Sequence, residues 1–450
     1  MTPTPLATAD RPATLVDRML DTPVVPADVL APSALTLLLF AGSLKDLPFL
    51  AALPVDLTLL GAVLVGLLIA VELVRSSFAL PPGVGAVVGL WTTFLLGVFL
   101  AGDTDYSTTK VERLFTLTLL SALGALFLLR TPRRQVVWLW SLVLVGAVVL
   151  LTTLVAPDQT LLEAGRLAAE GSNTIATGRV AGAAAIILAV GAATKLVPRV
   201  LGTLGVVLCV AAMIATGSRG PLVAAIVAIV VVVLLRPGTF VARTRRLVLS
   251  ALAIVLGGAA IVTYGSSGAG FTRIAALLGG TQDDSTDARV YLAQQSLRVL
   301  ASDPLGIGWG DLPSRLPDSG FGDSAIQLKY AHDLLLEVGV ESGWIAGLAL
   351  IAFIVVALIR LKRASGGPLG ATMLAVTVFF LVNALVSGDV NDNRMAFAAL
   401  AVAWVVPLAT APAAPEDDGD VVPSADRSQA ISTAGASRRA SRQQVTKSAV

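Results

Sequence analysis

The chain is poor in the residues that most enzymes use for chemistry. It has one cysteine and one histidine in 450 residues, with 14% charged and 5% aromatic residues. The lone Cys209 lies inside an apolar run, which excludes a disulfide scaffold. The lone His332 excludes a metal site built on several imidazoles. Soluble domains carry about 25% charged residues, so this scarcity excludes an ordinary soluble enzyme. Disorder is excluded by the opposite feature, a hydrophobic content of 55%. Mean hydropathy is +0.83. What remains is a helical integral membrane protein. The net charge of +2 carries no signature of nucleic acid, and no nucleic-acid partner is expected.

A helix needs roughly 20 apolar residues to cross the hydrocarbon core, and by that rule the chain has about twelve candidate spans. They fall at 29–44, 55–74, 84–101, 111–129, 136–156, 178–195, 198–216, 220–235, 246–265, 340–359, 369–387 and 395–411. Transmembrane strands would alternate apolar and polar residues, whereas Ile226 to Leu235 is uniformly apolar. The expected fold is therefore all-α, a polytopic transmembrane bundle. Residues 1–28 mix Asp10, Asp17 and Asp21 with Arg11 and Arg18, which does not fit a cleavable signal peptide.

Short loops set the orientation. Arg75, the group Arg130, Arg133 and Arg134, then Lys195 and Arg199 all fall in even-numbered loops. Arg236, Arg243, Arg245 and Arg246, then Arg360, Lys362 and Arg363 continue the series. Cytoplasmic loops carry the excess of Lys and Arg, so this set faces the cytoplasm with both termini. The domain plan is a cytoplasmic tail at 1–28, nine spans over 29–265, and a long extracytoplasmic loop at 266–339. Three further spans follow over 340–411, and 412–450 reads as a disordered cytoplasmic tail.

The outer face has few basic residues, yet Arg179, Arg219, Arg289 and Arg394 all sit against span ends. Ionisable groups at membrane depth are costly and suggest function. A guanidinium fork matches phosphate in bidentate fashion. Arg219 lies in Thr216-Gly217-Ser218-Arg219-Gly220-Pro221, a tight hairpin whose glycines permit close approach of a ligand. The competing reading is that these arginines snorkel to headgroups or pair with Asp389 and Asp392. Four on one face, below a long loop, favour an anionic ligand.

The long loop has its own structure. Ser285-Thr286-Asp287 offers N-cap chemistry for a helix from Arg289 to Ala301, which Asp303-Pro304 ends. Gly306-Ile307-Gly308-Trp309-Gly310 lacks the strand-turn-helix context of a dinucleotide site. Its Trp309 packs into the fold or lines a sugar site. His332 follows, and a neutral imidazole near pH 7 meets the requirement for a general base. The bland alternative is a histidine bonded to the backbone at a helix start. Glu337 and Glu341 are four apart and share a helix face, either for acid–base work or as acids at headgroup level.

At these residues the chain resembles the O-antigen ligase and O-antigen polymerase superfamily. The resemblance rests on the order of the spans, the loop between spans nine and ten, and Ser218-Arg219-Gly220 at the outer end of span seven. It continues through Arg289, Pro304-Leu305-Gly306-Ile307-Gly308-Trp309-Gly310, Ala331-His332-Asp333, Leu336-Glu337-Val338-Gly339 and Gly343. Ser387-Gly388-Asp389 to Asn393-Arg394 resembles the family's late outer loop. The similarity spans residues 30 to 410. One departure is Asp333, where the family often has Asn.

The resemblance implies a metal-independent, inverting glycosyltransferase of the GT-C type, with no cofactor and no bound metal. The implied donor is a glycan on undecaprenyl diphosphate, on the outer side of the cytoplasmic membrane. The implied acceptor is a sugar hydroxyl of a glycan or glycolipid. Arg219 and Arg289 would hold the diphosphate and His332 would activate or orient the acceptor. Arg179, Arg394, Asp389 and Trp309 are weaker candidates for diphosphate or glycan contact. Polymerisation of lipid-linked repeats is an open alternative. A transporter or flippase is the alternative of a different class, for which midplane polar groups and internal repeats are expected.

Overall fold

The computed structural model describes residues 25–45, 47–163, 166–170, 172–236, 284–317 and 330–408, with side chains from 287 in the fifth segment. Among the described residues the elements are helical and no strand forms beyond an isolated pairing of Pro157 with Ala169. Among them, eight helices are long and apolar enough to cross a membrane, and two shorter apolar ones accompany them. The ninth expected span, 246–265, lies outside the described residues.

In chain order the first half holds α1 (Pro26–Leu44), α2 (Pro48–Ala51), α3 (Leu57–Arg75), α4 (Val84–Phe99), α5 (Asp105–Arg113) and α6 (Leu119–Leu128). A π-helical turn, Leu114–Thr118, joins α5 to α6 into one span. Then come α7 (Pro132–Val155), α8 (Gln159–Glu163), α9 (Thr174–Ala193), α10 (Arg199–Thr216) and α11 (Arg219–Leu235). After the undescribed segment follow α12 (Asp284–Ser302), α13 (Leu312–Arg315), α14 (Leu334–Ala364), α15 (Pro368–Val386) and α16 (Arg394–Val402).

Local chemistry explains where helices start. Asp56 accepts the amides of Thr58 and Leu59 at 2.7 and 3.1 Å, and Asn173 accepts that of Ala176 at 2.7 Å. Each satisfies amides that a helix start would otherwise leave orphaned. Between the caps most residues are apolar. The centre is built on small residues, because lipid gives helices no hydrophobic reason to associate and close approach must do it. Gly182 on α9 lies under the Phe379 ring of α15, Gly146 on α7 faces Ala184, and Gly202 on α10 faces Ala192. Helices α9 and α15 are accordingly buried, while α3 and α10 face outward.

One end of the bundle is tied by Arg134, which reaches Asp28 of α1 at 3.1 Å and Glu72 of α3 at 2.8 Å. Arg134 belongs to the set expected on one side of the membrane. At the opposite end lie the starts of α5, α9, α11 and α14.

Two expectations about the elements need correction. The loop helix begins at Asp284, not Arg289, so 285–287 fall within its first turn. The twelfth expected span holds α16, continued by tight turns to Val406, and its far end accepts from Gln135 and Arg360, at the end of the bundle tied by Arg134. The tenth expected span, 340–359, begins inside one piece of a broken helix. Gly343 has φ 87° and ψ 173°, so α14 consists of a short piece, 334–342, and a 21-residue piece from Trp344 to Ala364. A Cβ built on Gly347 would lie 3.4 Å from the Gly339 Cα, so the two pieces fold back on each other.

The glycine loop explains why this break is tolerated. Ile307 and Gly308 donate their amides to the Val340 and Glu341 carbonyls, both at 3.0 Å, and Trp344 donates to the Pro304 carbonyl at 3.0 Å. Backbone groups released by the break are thereby satisfied, which a membrane-embedded chain requires. Gly306 and Gly308 have φ of 93° and 102°. A Cβ on Gly308 would sit 2.3 Å from the Leu100 carbonyl oxygen, so only glycine fits between α4 and α14.

Candidate active site

The hairpin between α10 and α11 carries the first candidate. Gly217, with φ 67°, ends α10, and Arg219 opens α11 with Pro221 in its first turn. Ser218 and Thr216 pack against Gly178, where a Cβ would meet the Ser218 Cβ at 3.2 Å. The turn holding Arg219 therefore abuts the start of α9, beside Arg179. Arg166 reinforces the junction, donating to the Thr216 carbonyl at 3.4 Å and to the Thr174 hydroxyl.

Arg179 is buried and central. Its Nη2 donates to the Ser387 carbonyl at 2.8 Å. Its Nε is buried with no hydrogen-bond partner. Gly388, with φ 82°, lies so close that a Cβ there would be 2.9 Å from Arg179 Nη2. Asp392, Tyr330, Asp389 and Arg289 all lie within electrostatic range of the Arg179 guanidinium. Two guanidinium groups held near each other repel, and an anion between them relieves that repulsion.

The loop 387–393 is fixed in place by its own side-chain amides. Asn393 Nδ2 donates to the Ser387 carbonyl at 3.2 Å, and Asn391 Nδ2 donates to the Lys110 carbonyl at 3.0 Å. Thr118, in the π-helical turn, donates to Asn391 Oδ1 at 2.9 Å. Asp389 accepts the Asp392 amide at 2.7 Å and remains half-buried. Arg394 sits further along this loop. It lies near Gly42 of α1 and within range of Arg113, Asp389 and Asp392.

His332 is half-buried and has φ 56°, a left-handed conformation that non-glycine residues rarely adopt. Such strain costs about 1–3 kcal/mol and clusters at functional sites. Its ring packs against Tyr330, with centroids 4.3 Å apart. Burial, with the Asp392 and Asp389 carboxylates next, pushes the Tyr330 hydroxyl above its ordinary range, so it stays protonated at neutral pH. Asp333 caps α14, its Oδ1 accepting the Leu335 and Leu336 amides, both at 2.9 Å. Asn caps a helix equally well, which accounts physically for either residue after the histidine.

Two expectations change here. Trp309 is a core residue with 0% exposure. Its Nε1 donates to the Phe94 carbonyl at 3.0 Å, and its ring meets Phe94 edge-on. No ring face is left for a sugar. Glu337 and Glu341 are not headgroup-level acids, because both are fully buried and flank Lys110 Nζ at 2.6 Å each. Lys110 was missed because its polar surroundings read as a loop, whereas α5 is the first part of a span. The signal was the carboxylate pair, since two acids on one buried helix face need a cation from elsewhere.

Residues 204–351 match the Wzy_C family, described as O-antigen ligase. That match, over about a third of the chain, supports the resemblance to the O-antigen ligase and polymerase superfamily. The family carries a membrane glycosyltransferase-type role in polysaccharide biosynthesis. The O-antigen ligase match takes in α11, α12, the glycine loop, His332, the break at Gly343 and most of α10. Lys110, Arg179 and the loop 387–393 lie outside it. No curated protein matches the chain.

Proposed function

We propose that this O-antigen ligase homologue moves a glycan from a polyprenyl diphosphate to an acceptor sugar hydroxyl, at the outer face of the cytoplasmic membrane. The observation that carries this reading is the convergence on Arg179. The Arg219 turn packs beside it, Arg289 lies within its electrostatic range, and Tyr330 joins it to His332. Arginines near three helix starts supply positive charge where a diphosphate leaving group gathers negative charge.

In this reading the acceptor oxygen attacks the anomeric carbon from the face opposite the leaving group. The C–O bond to the diphosphate breaks, and its electron pair leaves with the phosphate oxygen. His332 takes the hydroxyl proton, and the Tyr330 ring packed against it holds the imidazole in place. Arg219 and Arg289 hold the diphosphate, with Arg179 and Asp389 shaping the space between them. Arg394 contacts the glycan or its phosphate.

The broken helix and buried charges of α14 are features that a transporter also uses. Here, however, the carbonyls freed at the break are taken by the glycine loop and the charges by one another. The test is transfer from the lipid-linked pool of a deletion strain by wild type and Arg219→Lys. Charge is kept but the bidentate fork is lost. Hydrogen bonds to charged groups contribute about 1.5–3 kcal/mol, so kcat/KM should fall about 10- to 100-fold. Full activity in Arg219→Lys would count against the clamp.

A further inference from the structure

We propose that Lys110 is a positioning residue: its ion pair with Glu337 fixes where His332 sits relative to the loop 387–393. Its consequence for catalysis rests on the transfer reading above, while the placement itself can be tested apart from activity.

Lys110 carries both halves of the site. Its ammonium, 0% exposed, lies 2.6 Å from Glu337 Oε1 and 2.6 Å from Glu341 Oε2. The Tyr106 and Trp309 rings close around it, with centroids 5.6 and 5.9 Å away. Its backbone carbonyl accepts the Asn391 side-chain amide, and Asn391 belongs to the loop whose Ser387 carbonyl holds Arg179. One residue thus links the histidine side through its side chain and the arginine side through its main chain.

The two carboxylates have different positions. Glu337 lies in the first turn of α14, its amide donating to the Asp333 carbonyl at 2.9 Å. His332 immediately precedes that cap in a left-handed conformation, so a tilt of the 334–342 piece swings the imidazole. Glu341 faces the glycine loop, accepting the Gly310 amide on Oε2 at 3.1 Å and the Gly308 amide on its carbonyl. A one-to-one pair would already neutralise the lysine. The second carboxylate is more than charge balance around one buried ammonium requires.

The single histidine makes the test clean. Protein labelled with ¹³C,¹⁵N-histidine and purified through a histidine-free tag gives one imidazole signal, that of His332. Glu337→Gln and Glu341→Gln each leave a one-to-one ion pair with Lys110, so both should fold. The expected result is a displaced or split imidazole signal in Glu337→Gln and a retained one in Glu341→Gln. Transfer from the extracted lipid-linked pool should then fall about 10-fold or more in kcat for Glu337→Gln at unchanged donor KM. An unchanged signal in Glu337→Gln would overturn the proposal, as would equal displacement in both variants or a displaced signal with full kcat. Loss of the fold in Glu337→Gln alone would assign the pair to stability and overturn it too. No transfer by wild type would remove the functional reading, while the imidazole signal would still decide the placement.

Discussion

Gly343 is where the broken helix and the glycine loop meet, and Gly343→Ala probes that junction. With φ 87° and ψ 173° the residue occupies a region essentially reserved for glycine. A Cβ there would lie 2.6 Å from both the Leu305 carbonyl carbon and oxygen and 2.9 Å from the Pro304 oxygen. All three are backbone atoms, so no side-chain rotation relieves the clash. Backbone strain contributes about 1–3 kcal/mol and overpacking a similar amount, so the variant should lose about 2–6 kcal/mol. Native proteins are stable by about 5–15 kcal/mol, so this is a large fraction of the total. Gly89→Ala on α4 is the control, because a Cβ there meets nothing within 4 Å. Alanine should stabilise that helix by about 0.5–1 kcal/mol. Thermal unfolding of both variants in one detergent reads the difference. If Gly343→Ala unfolds with wild type, the docking of the loop into the break is wrong.

Further outcomes follow from the site. Asp333→Asn keeps the cap and removes a carboxylate whose titration burial holds above its usual range. An acid with a raised folded pKa is disfavoured in its charged form, so stability falls as pH rises through that range. The advantage of the Asp333→Asn variant over wild type should therefore grow from acid to neutral pH, measured by unfolding at a series of pH values. Asp333→Ala should instead lose about 1 kcal/mol through the missing cap. Trp309→Phe removes the bond to the Phe94 carbonyl and should cost about 1–3 kcal/mol, with glycan affinity unchanged. Weakened glycan binding at intact stability would restore Trp309 as a sugar contact.

The membrane class and most span positions were legible because helices in lipid must satisfy their own backbone, which leaves long apolar runs in the sequence. The exceptions have specific causes. The break at Gly343 was not read from the sequence, because one glycine between Ser342 and the apolar run from Trp344 does not by itself announce a change of direction. Only the paired behaviour of Gly306, Gly308 and Gly343 in three dimensions reveals it. The loop helix starts earlier than expected, at Asp284, because the residue types that cap a helix also suit its first turn.

The site was legible in part. Arg219, Arg289 and His332 stood out because each is an expensive or rare residue on an otherwise bare face. Arg179, ranked lower, has the Arg219 turn packed beside it and Arg289 within electrostatic range. Its partners are a carbonyl and residues distant in sequence, which no local spacing announces. Lys110 was invisible for the same reason: its importance lies in two carboxylates more than 220 residues away.

The central claim is that this chain transfers a lipid-linked glycan with His332 as the proton acceptor. Wild type and His332→Ala, purified in the same detergent at matched folding, should be given the lipid-linked pool extracted from a deletion strain. The account predicts transfer by wild type and a loss of about 100-fold or more in the variant, in the range of general-base catalysis. Equal transfer by both would contradict the role of His332, and no transfer by either from authentic donor would contradict the enzyme itself.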